Sequence, residues 1–248
     1  MIDEAATEFF TRSRSEVFAF SCSIAGDVPR SRGLGSSVTV RLGVLHGLNA
    51  LAGTPLNAAR LFDACVTLEG HPDNAAPAAF GGFNVVRGAN RQTFRISPKL
   101  QFVVLIPAFE IETSAARRIL PSHVNRLDAV ESCGNAAMIA AAFASRAYDK
   151  LKGAFPDHLH QPFRTKLIPI LPDVIAAAER AGALGGWLSG SGSSIAAATL
   201  DNGERIAAAM FDAANTEAGV VITTADNAGV RIVRSRRRAQ TRRYAPVA

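Results

Sequence analysis

Pro29-Arg30-Ser31-Arg32-Gly33-Leu34-Gly35-Ser36-Ser37 separates two patterns of different period. Before it, residues 17–24 alternate, with Phe18, Phe20, Cys22 and Ile24 on one side, the pattern of a half-buried strand. After it, Val38, Leu42, Leu45, Leu48 and Leu51 recur at spacings of three and four, which gives a helix a buried stripe. The stretch therefore reads as a loop between strand and helix. Its glycines let the backbone turn tightly and approach a ligand, and the unpaired N–H groups of the following helix point at the loop. That combination makes an anion site suited to a triphosphate. The hydroxyls of Ser36 and Ser37 would add donors or a magnesium ligand. No Gly-Lys-Ser/Thr follows, so this is not a Walker A loop. Taken by itself, such a turn is more often plain structure.

Outward from the loop, Gly53 ends the helix, and Thr54-Pro55 is expected to cap a second one reaching about Leu68. Short β-rich runs follow at 83–86, 93–96 and 102–106. Helices are expected at 113–120, within 124–148, and at 173–181. A strand at 195–199, a helix at 204–214 and strands at 220–224 and 231–233 complete the pattern. Strands and helices mix without strict βαβ alternation, which places the chain in the α+β class. No internal repeat is present.

A length of 248 residues allows one large or two modest domains, and 48% apolar with 19% charged residues is the composition of a folded protein. No apolar run is long enough to span a bilayer, so no membrane partner is expected. The opening Met1-Ile2-Asp3-Glu4 is acidic where a signal peptide would be basic. Cys22, Cys65 and Cys133 are scattered and form no CxxC pair, which favours a reducing, cytoplasmic setting over a disulfide framework or zinc site. The net charge of +6 resides in Arg234, Arg236, Arg237, Arg238, Arg242 and Arg243, because the rest of the chain is formally neutral without them. A solvated, disordered basic tail over 234–248 is favoured over a nucleic-acid contact, since no aromatic interleaving accompanies it.

A second polar cluster, Glu69-Gly70-His71-Pro72-Asp73-Asn74-Ala75-Ala76-Pro77, is followed by Gly81-Gly82. Its residues suit a metal or a polarised hydroxyl as well as they suit a capped, Pro-ordered turn. Together with Pro29 to Ser37, this wording resembles the homoserine kinases of the GHMP small-molecule kinase family. Ile106-Pro107-Ala108-Phe109-Glu110 with Thr113-Ser114-Ala115-Ala116-Arg117, and His158-Leu159-His160-Gln161-Pro162-Phe163-Arg164, are similar to further segments of those enzymes. Leu188-Ser189-Gly190-Ser191-Gly192 is similar to the family's third, glycine-rich motif, and Ala225-Asp226-Asn227-Ala228-Gly229 to its C-terminus. Two departures stand out. Val38 and Thr39 replace the usual alanines, and Ser191-Gly192-Ser193-Ser194 replaces Ala-Gly-Pro-Thr.

The resemblance implies a two-domain GHMP fold, with a ribosomal-S5-like N-terminal domain over 1–98 and a ferredoxin-like C-terminal domain over 99–233. It implies phosphorylation of the side-chain hydroxyl of L-homoserine by ATP with Mg²⁺, a step toward threonine. Residues 29–39 would hold ATP, Val38 and Thr39 included. Ser37 would hold the metal together with Asp63, the residue eleven before Asn74, and Glu69 is the fallback. Asn74, Arg117 and Arg164 are the catalytic and substrate-binding candidates, the arginines holding the α-carboxylate, with Gly190 beside the substrate. His46 and His123 take a structural reading, and His71 is expected to hold the Asp73-Asn74 turn. No residue stands out as a general base, so alignment and electrostatics would supply the rate.

The same resemblance leads us to expect that the family's first motif, an Asn-Leu-Gly-Pro-Gly-Phe-Asp type loop with its flanking strands, is missing, Met1 to Phe10 matching a later helix. A sheet with unpaired edges invites association, a homodimer included. The alternative to a working kinase is then a remnant that binds nucleotide or a partner without turnover.

Overall fold

The computed structural model describes residues 1–88 and 90–233, so the basic stretch 234–248 lies outside the described residues. The chain opens with helix α1 (Ile2–Ser13), whose Ala5, Ala6 and Phe9 pack against the next two helices. The glycine-serine loop leads into α2 (Ser36–Leu51), and α3 (Ala58–Glu69) follows. The stripe read from the sequence is buried from Val38 to Leu48, but Leu51 is 68% exposed at the helix end. Cap geometry differs from expectation. The Asn57 side chain, accepting from the Arg60 N–H, starts α3, while Thr54 sits at φ 64 in the preceding turn. Buried Asn49 fastens that turn by bonding both the N–H and the C=O of Leu56.

The alternating segment at 17–24 is not a strand. No backbone partner adjoins it among the described residues, so it has no regular secondary structure. Phe18 and Phe20 still pack on the helical cluster, whereas Cys22 and Ile24 are exposed.

Short α4 (Ala75–Phe80) precedes an antiparallel hairpin of β1 (Phe83–Arg87) and β2 (Asn90–Phe94). The second half is built on β3 (Gln101–Pro107), β4 (Gly185–Leu188), β5 (Ile195–Thr199) and β6 (Ala218–Thr224), in the antiparallel order β4-β5-β3-β6. Between β3 and β4 run α5 (Thr113–Arg118), α6 (Arg126–Ser145), a 3-10 turn (Tyr148–Leu151), α7 (Gln161–Arg164) and α8 (Leu171–Arg180). Helix α9 (Gly203–Ala214) links β5 to β6. Alternation along the central strands divides two cores. Val103, Leu105, Ile195 and Ala197 face α8 and α9, while Phe102 and Ala198 face Phe143 of α6, Tyr148 and Leu151.

Strand β4 did not read as a strand because it begins Gly185-Gly186. A Cβ at Gly185 would lie 2.1 Å from the Phe155 ring, which stacks on Trp187 at 4.7 Å. Packing therefore demands glycine where strand propensity disfavours it. Conversely, 231–233 is not a strand. The chain has left the sheet by Val230, which donates to the Ala79 carbonyl, and Val233 is 87% exposed. This return tightly couples the two halves. Gly82 N–H donates to Asp226 O, Asn227 pairs with both backbone groups of Ile96, and a Cβ at Gly81 would lie 2.6 Å from the Ala228 nitrogen. No described helix is long and apolar enough to cross a membrane.

Candidate active site

Gly35 stands at φ 72, ψ 26 as the first residue of α2's cap, and no side chain accepts from the helix's first N–H groups. The earliest intrahelical bond runs from Thr39 N–H to Gly35 O, leaving the N–H groups of the first turn available. A Cβ at Gly35 would meet nothing within 4 Å, so the backbone here faces open space. That space is a cleft of about 910 Å³, within the range of small-molecule sites.

The opposite side of the loop is closed against the third motif. A Cβ at Gly33 would stand 2.0 Å from the Ser189 carbonyl oxygen. Ser189 Oγ donates to Gly33 O at 2.9 Å, and Ser194 N–H to Arg32 O at 3.1 Å. Of residues 29–39, Arg30, Ser31, Gly33, Gly35, Ser36 and Ser37 line the cleft. The others do not, and the reasons are local. Arg32 is turned to the second half, donating to Pro107 O and Ala108 O and pairing with Glu110 at 3.3 Å. Val38 is fully buried among the helices, and the Thr39 hydroxyl is used on Gly35 O. Pro29 and Leu34 also lie outside the lining.

Asp63 is exposed and does not reach the cleft, which corrects the expected Ser37–Asp63 pair. It sits six residues before Glu69 on α3, about a third of a turn out of phase. The carboxylate that meets Ser37 is Glu69, whose Oε2 accepts from Ser37 Oγ at 3.1 Å. Its other oxygen accepts from Arg41 Nη1 at 2.6 Å, and the Glu69 side chain is only 7% exposed. Burial works against the Arg41 charge, but the hydrogen bonds and charges of Glu69 and Glu4 outweigh it and hold its pKa above the ordinary value. A hydroxyl and a carboxylate beside an uncapped helix N-terminus form an oxygen donor set that fits a hard divalent cation and the phosphates it would accompany.

Asn74 lines the cleft at the start of α4 with its amide unused as a cap. The turn before it is closed by Asp73 Oδ1, which accepts from Asn74 N–H. His71 does not hold that turn. Its Nδ1 lies 3.8 Å from Asp73, beyond hydrogen-bond range, and is buried on the cleft wall without a partner among the described residues. This is a polar atom the sequence reading assigned to structure.

Arg117, Arg164 and Gly190 also line the cleft. Arg164 donates to Gly190 O at 2.8 Å and to Ala116 O at 3.3 Å, and so joins the glycine-rich loop to the helix bearing Arg117. Burial pushes the Arg164 pKa down; the charge of Asp157 opposes this and that of Arg117 adds to it. Neither arginine has a carboxylate in ion-pair range among the described residues, so their wall of the cleft is set up for an anion. Asp157 organises this wall. It accepts from the N–H groups of Leu159, His160 and Gln161, and despite its burial, the His160 contact and those N–H groups hold its carboxyl at about 2. Gln161 in turn accepts from Leu188 N–H at 2.7 Å. The Asp-x-Leu-His-Gln spacing was the available signal for this scaffold. Thr113 and Ser191 hydroxyls meet at 3.2 Å across the cleft wall.

Comparisons with known proteins place the chain among its relatives. Family models described as "GHMP kinases N terminal domain" and "GHMP kinases C terminal" match residues 1–82 and 135–216. A homoserine kinase of Clostridium botulinum (strain Eklund 17B / Type B) is 40% identical over 71% of this chain and 60% of its own length. One from Synechococcus sp. is 38% identical over 85% of this chain and 71% of its own. The crystal structure of homoserine kinase from Cytophaga hutchinsonii superposes with a TM-score of 0.82 at 28% identity, over 92% of this chain and 76% of that one. The chain thus spans about 60% of the length of the Clostridium relative. On the shared motifs, the two family models and these alignments, the chain belongs to the homoserine kinases of the GHMP kinase family.

Proposed function

We propose that the chain transfers the γ-phosphoryl group of ATP to the side-chain hydroxyl of L-homoserine, with Mg²⁺ held by Ser37 and Glu69. The observation that carries this reading is that one cleft unites an uncapped helix N-terminus, an oxygen donor pair and two arginines without a carboxylate partner among the described residues. The backbone N–H groups at Ser36 and Ser37 would hold phosphate oxygens, and Gly33 and Gly35 let the chain come close enough. Arg117 and Arg164 would hold the α-carboxylate, and Asn74 would orient the hydroxyl end. A bound divalent cation supplies charge neutralisation at the phosphate oxygens. The phosphorus–oxygen bond to ADP breaks as the bond to the substrate oxygen forms, and the hydroxyl proton leaves to water. Fixed dipoles and alignment carry most of the rate in such a site. We also propose the division into the remainder of a GHMP N-terminal, ATP-binding domain over 1–98 and a GHMP C-terminal domain over 99–233.

The test is ADP formation by the purified 248-residue chain with Mg²⁺ and L-homoserine, mevalonate or no acceptor. Turnover that requires homoserine is expected. A folded sample that binds ATP without turnover would replace the kinase reading with nucleotide binding alone.

A further inference from the structure

Arg41 lies one helical turn after Ser37 on α2, so both side chains reach Glu69. Its Nη1 holds Glu69 Oε1 at 2.6 Å, and its Nη2 reaches Glu4 Oε2 of α1 at 3.2 Å. Its Nε is buried with no acceptor among the described residues. The guanidinium side chain is 16% exposed. Arg41 thus divides one positive charge between Glu69 and Glu4, and the same Glu4 oxygen lies 3.7 Å from the Met1 ammonium.

We infer that Arg41 is a positioning residue for the cation site. It fixes the Glu69 carboxylate against Ser37 and acts as a standing counter-ion with which a divalent cation must share Glu69. This rests on the reading of Ser37 and Glu69 as cation ligands. Its consequence is a lowered cation affinity, together with a carboxylate that stays in place when no cation is bound. Like charges a few ångströms apart in a partly buried site oppose one another strongly, so removing the guanidinium strengthens cation binding.

The experiment is titration of the full chain with Mn²⁺ at pH 8 in saturating adenylyl imidodiphosphate, following free Mn²⁺ by electron paramagnetic resonance. Arg41→Met and Arg41→Gln should each bind Mn²⁺ about tenfold tighter than the parent, and Arg41→Lys should bind within about twofold of it. Arg41→Gln keeps a donor to Glu69 and serves if the Met variant does not fold. Equal or weaker Mn²⁺ binding in the neutral variants, with parental binding still lost in Glu69→Gln, would overturn the role of Arg41 alone. A parent chain that retains no more Mn²⁺ than the nucleotide analogue by itself would overturn the cation site and the inference together.

Discussion

Replacing Gly33 by alanine separates two properties that both glycines of the loop share. Gly33 and Gly35 have the same positive φ of 72, so alanine costs each about 1–2 kcal/mol of backbone strain. Their surroundings differ. At Gly33 the added Cβ would stand 2.0 Å from Ser189 O and 2.9 Å from Gly192 N, both backbone atoms that cannot rotate aside. The two loops must part by more than about 1 Å, an overpacking cost of about 1–3 kcal/mol. Parting also weakens the Ser189–Gly33 and Ser194–Arg32 hydrogen bonds, each contributing about 1 kcal/mol. Gly33→Ala should therefore lose about 3–5 kcal/mol. Gly35→Ala should lose about 1–2 kcal/mol while placing a methyl group in the cleft and weakening nucleotide binding. Gly26, with no positive φ and nothing within 4 Å, is the control and should stay within about 0.5 kcal/mol of the parent. Urea unfolding followed by circular dichroism measures all three. Equal losses at positions 33 and 35, or a loss at 33 no larger than the control's, would refute the claim that the loops are in contact there.

Glu69→Gln should reduce Mg²⁺-dependent turnover about 100-fold or more, whereas Asp63→Asn should remain within about twofold; steady-state kinetics across Mg²⁺ concentrations decides between the two carboxylates. Arg117→Ala should raise the KM for homoserine about 10–100-fold with little change in stability. Arg164→Ala should do the same and also lower the melting temperature, because it alone ties Ala116 to Gly190. Asp157, held at about 2 against an unfolded value near 3.9, contributes stability that is full above pH ~4 and lost as pH falls toward 2. Asp157→Asn should accordingly cost about 1–2 kcal/mol at pH 7, allowing for screening of the partly exposed carboxyl, and the gap to the parent should close by pH ~2 in pH-dependent denaturation.

Much of the fold was legible because its elements carry strong local patterns. The apolar stripe of α2 is one, and the short β-rich runs of β1 and β3 are others. What failed depended on partners that lie far away in sequence. Phe18, Phe20, Cys22 and Ile24 alternate like a strand, but alternation does not provide a neighbouring backbone. Gly185-Gly186 reads as loop because the reason for glycine, the Phe155 ring, comes thirty residues earlier. The site shows the same division. Ser37 and the glycines were readable from their own loop, and Arg117, Arg164 and Asn74 do reach one cleft. Choosing Asp63 over Glu69 followed a residue count, which ignores that helical phase decides which side chain faces Ser37. Arg32 looked like a phosphate ligand by position, yet carbonyls at 107 and 108 claim its guanidinium. No local feature marked Arg41 as the partner of Glu69, since 28 residues separate them.

The central claim is tested most directly by ³¹P NMR of the purified chain incubated with ATP, Mg²⁺ and L-homoserine. The account predicts a new phosphomonoester resonance that coincides with added O-phospho-L-homoserine, grows as ATP is converted to ADP, and is absent with Ser37→Ala or without homoserine. ATP left intact by a folded chain, or ADP and inorganic phosphate formed with no phosphomonoester, would contradict it.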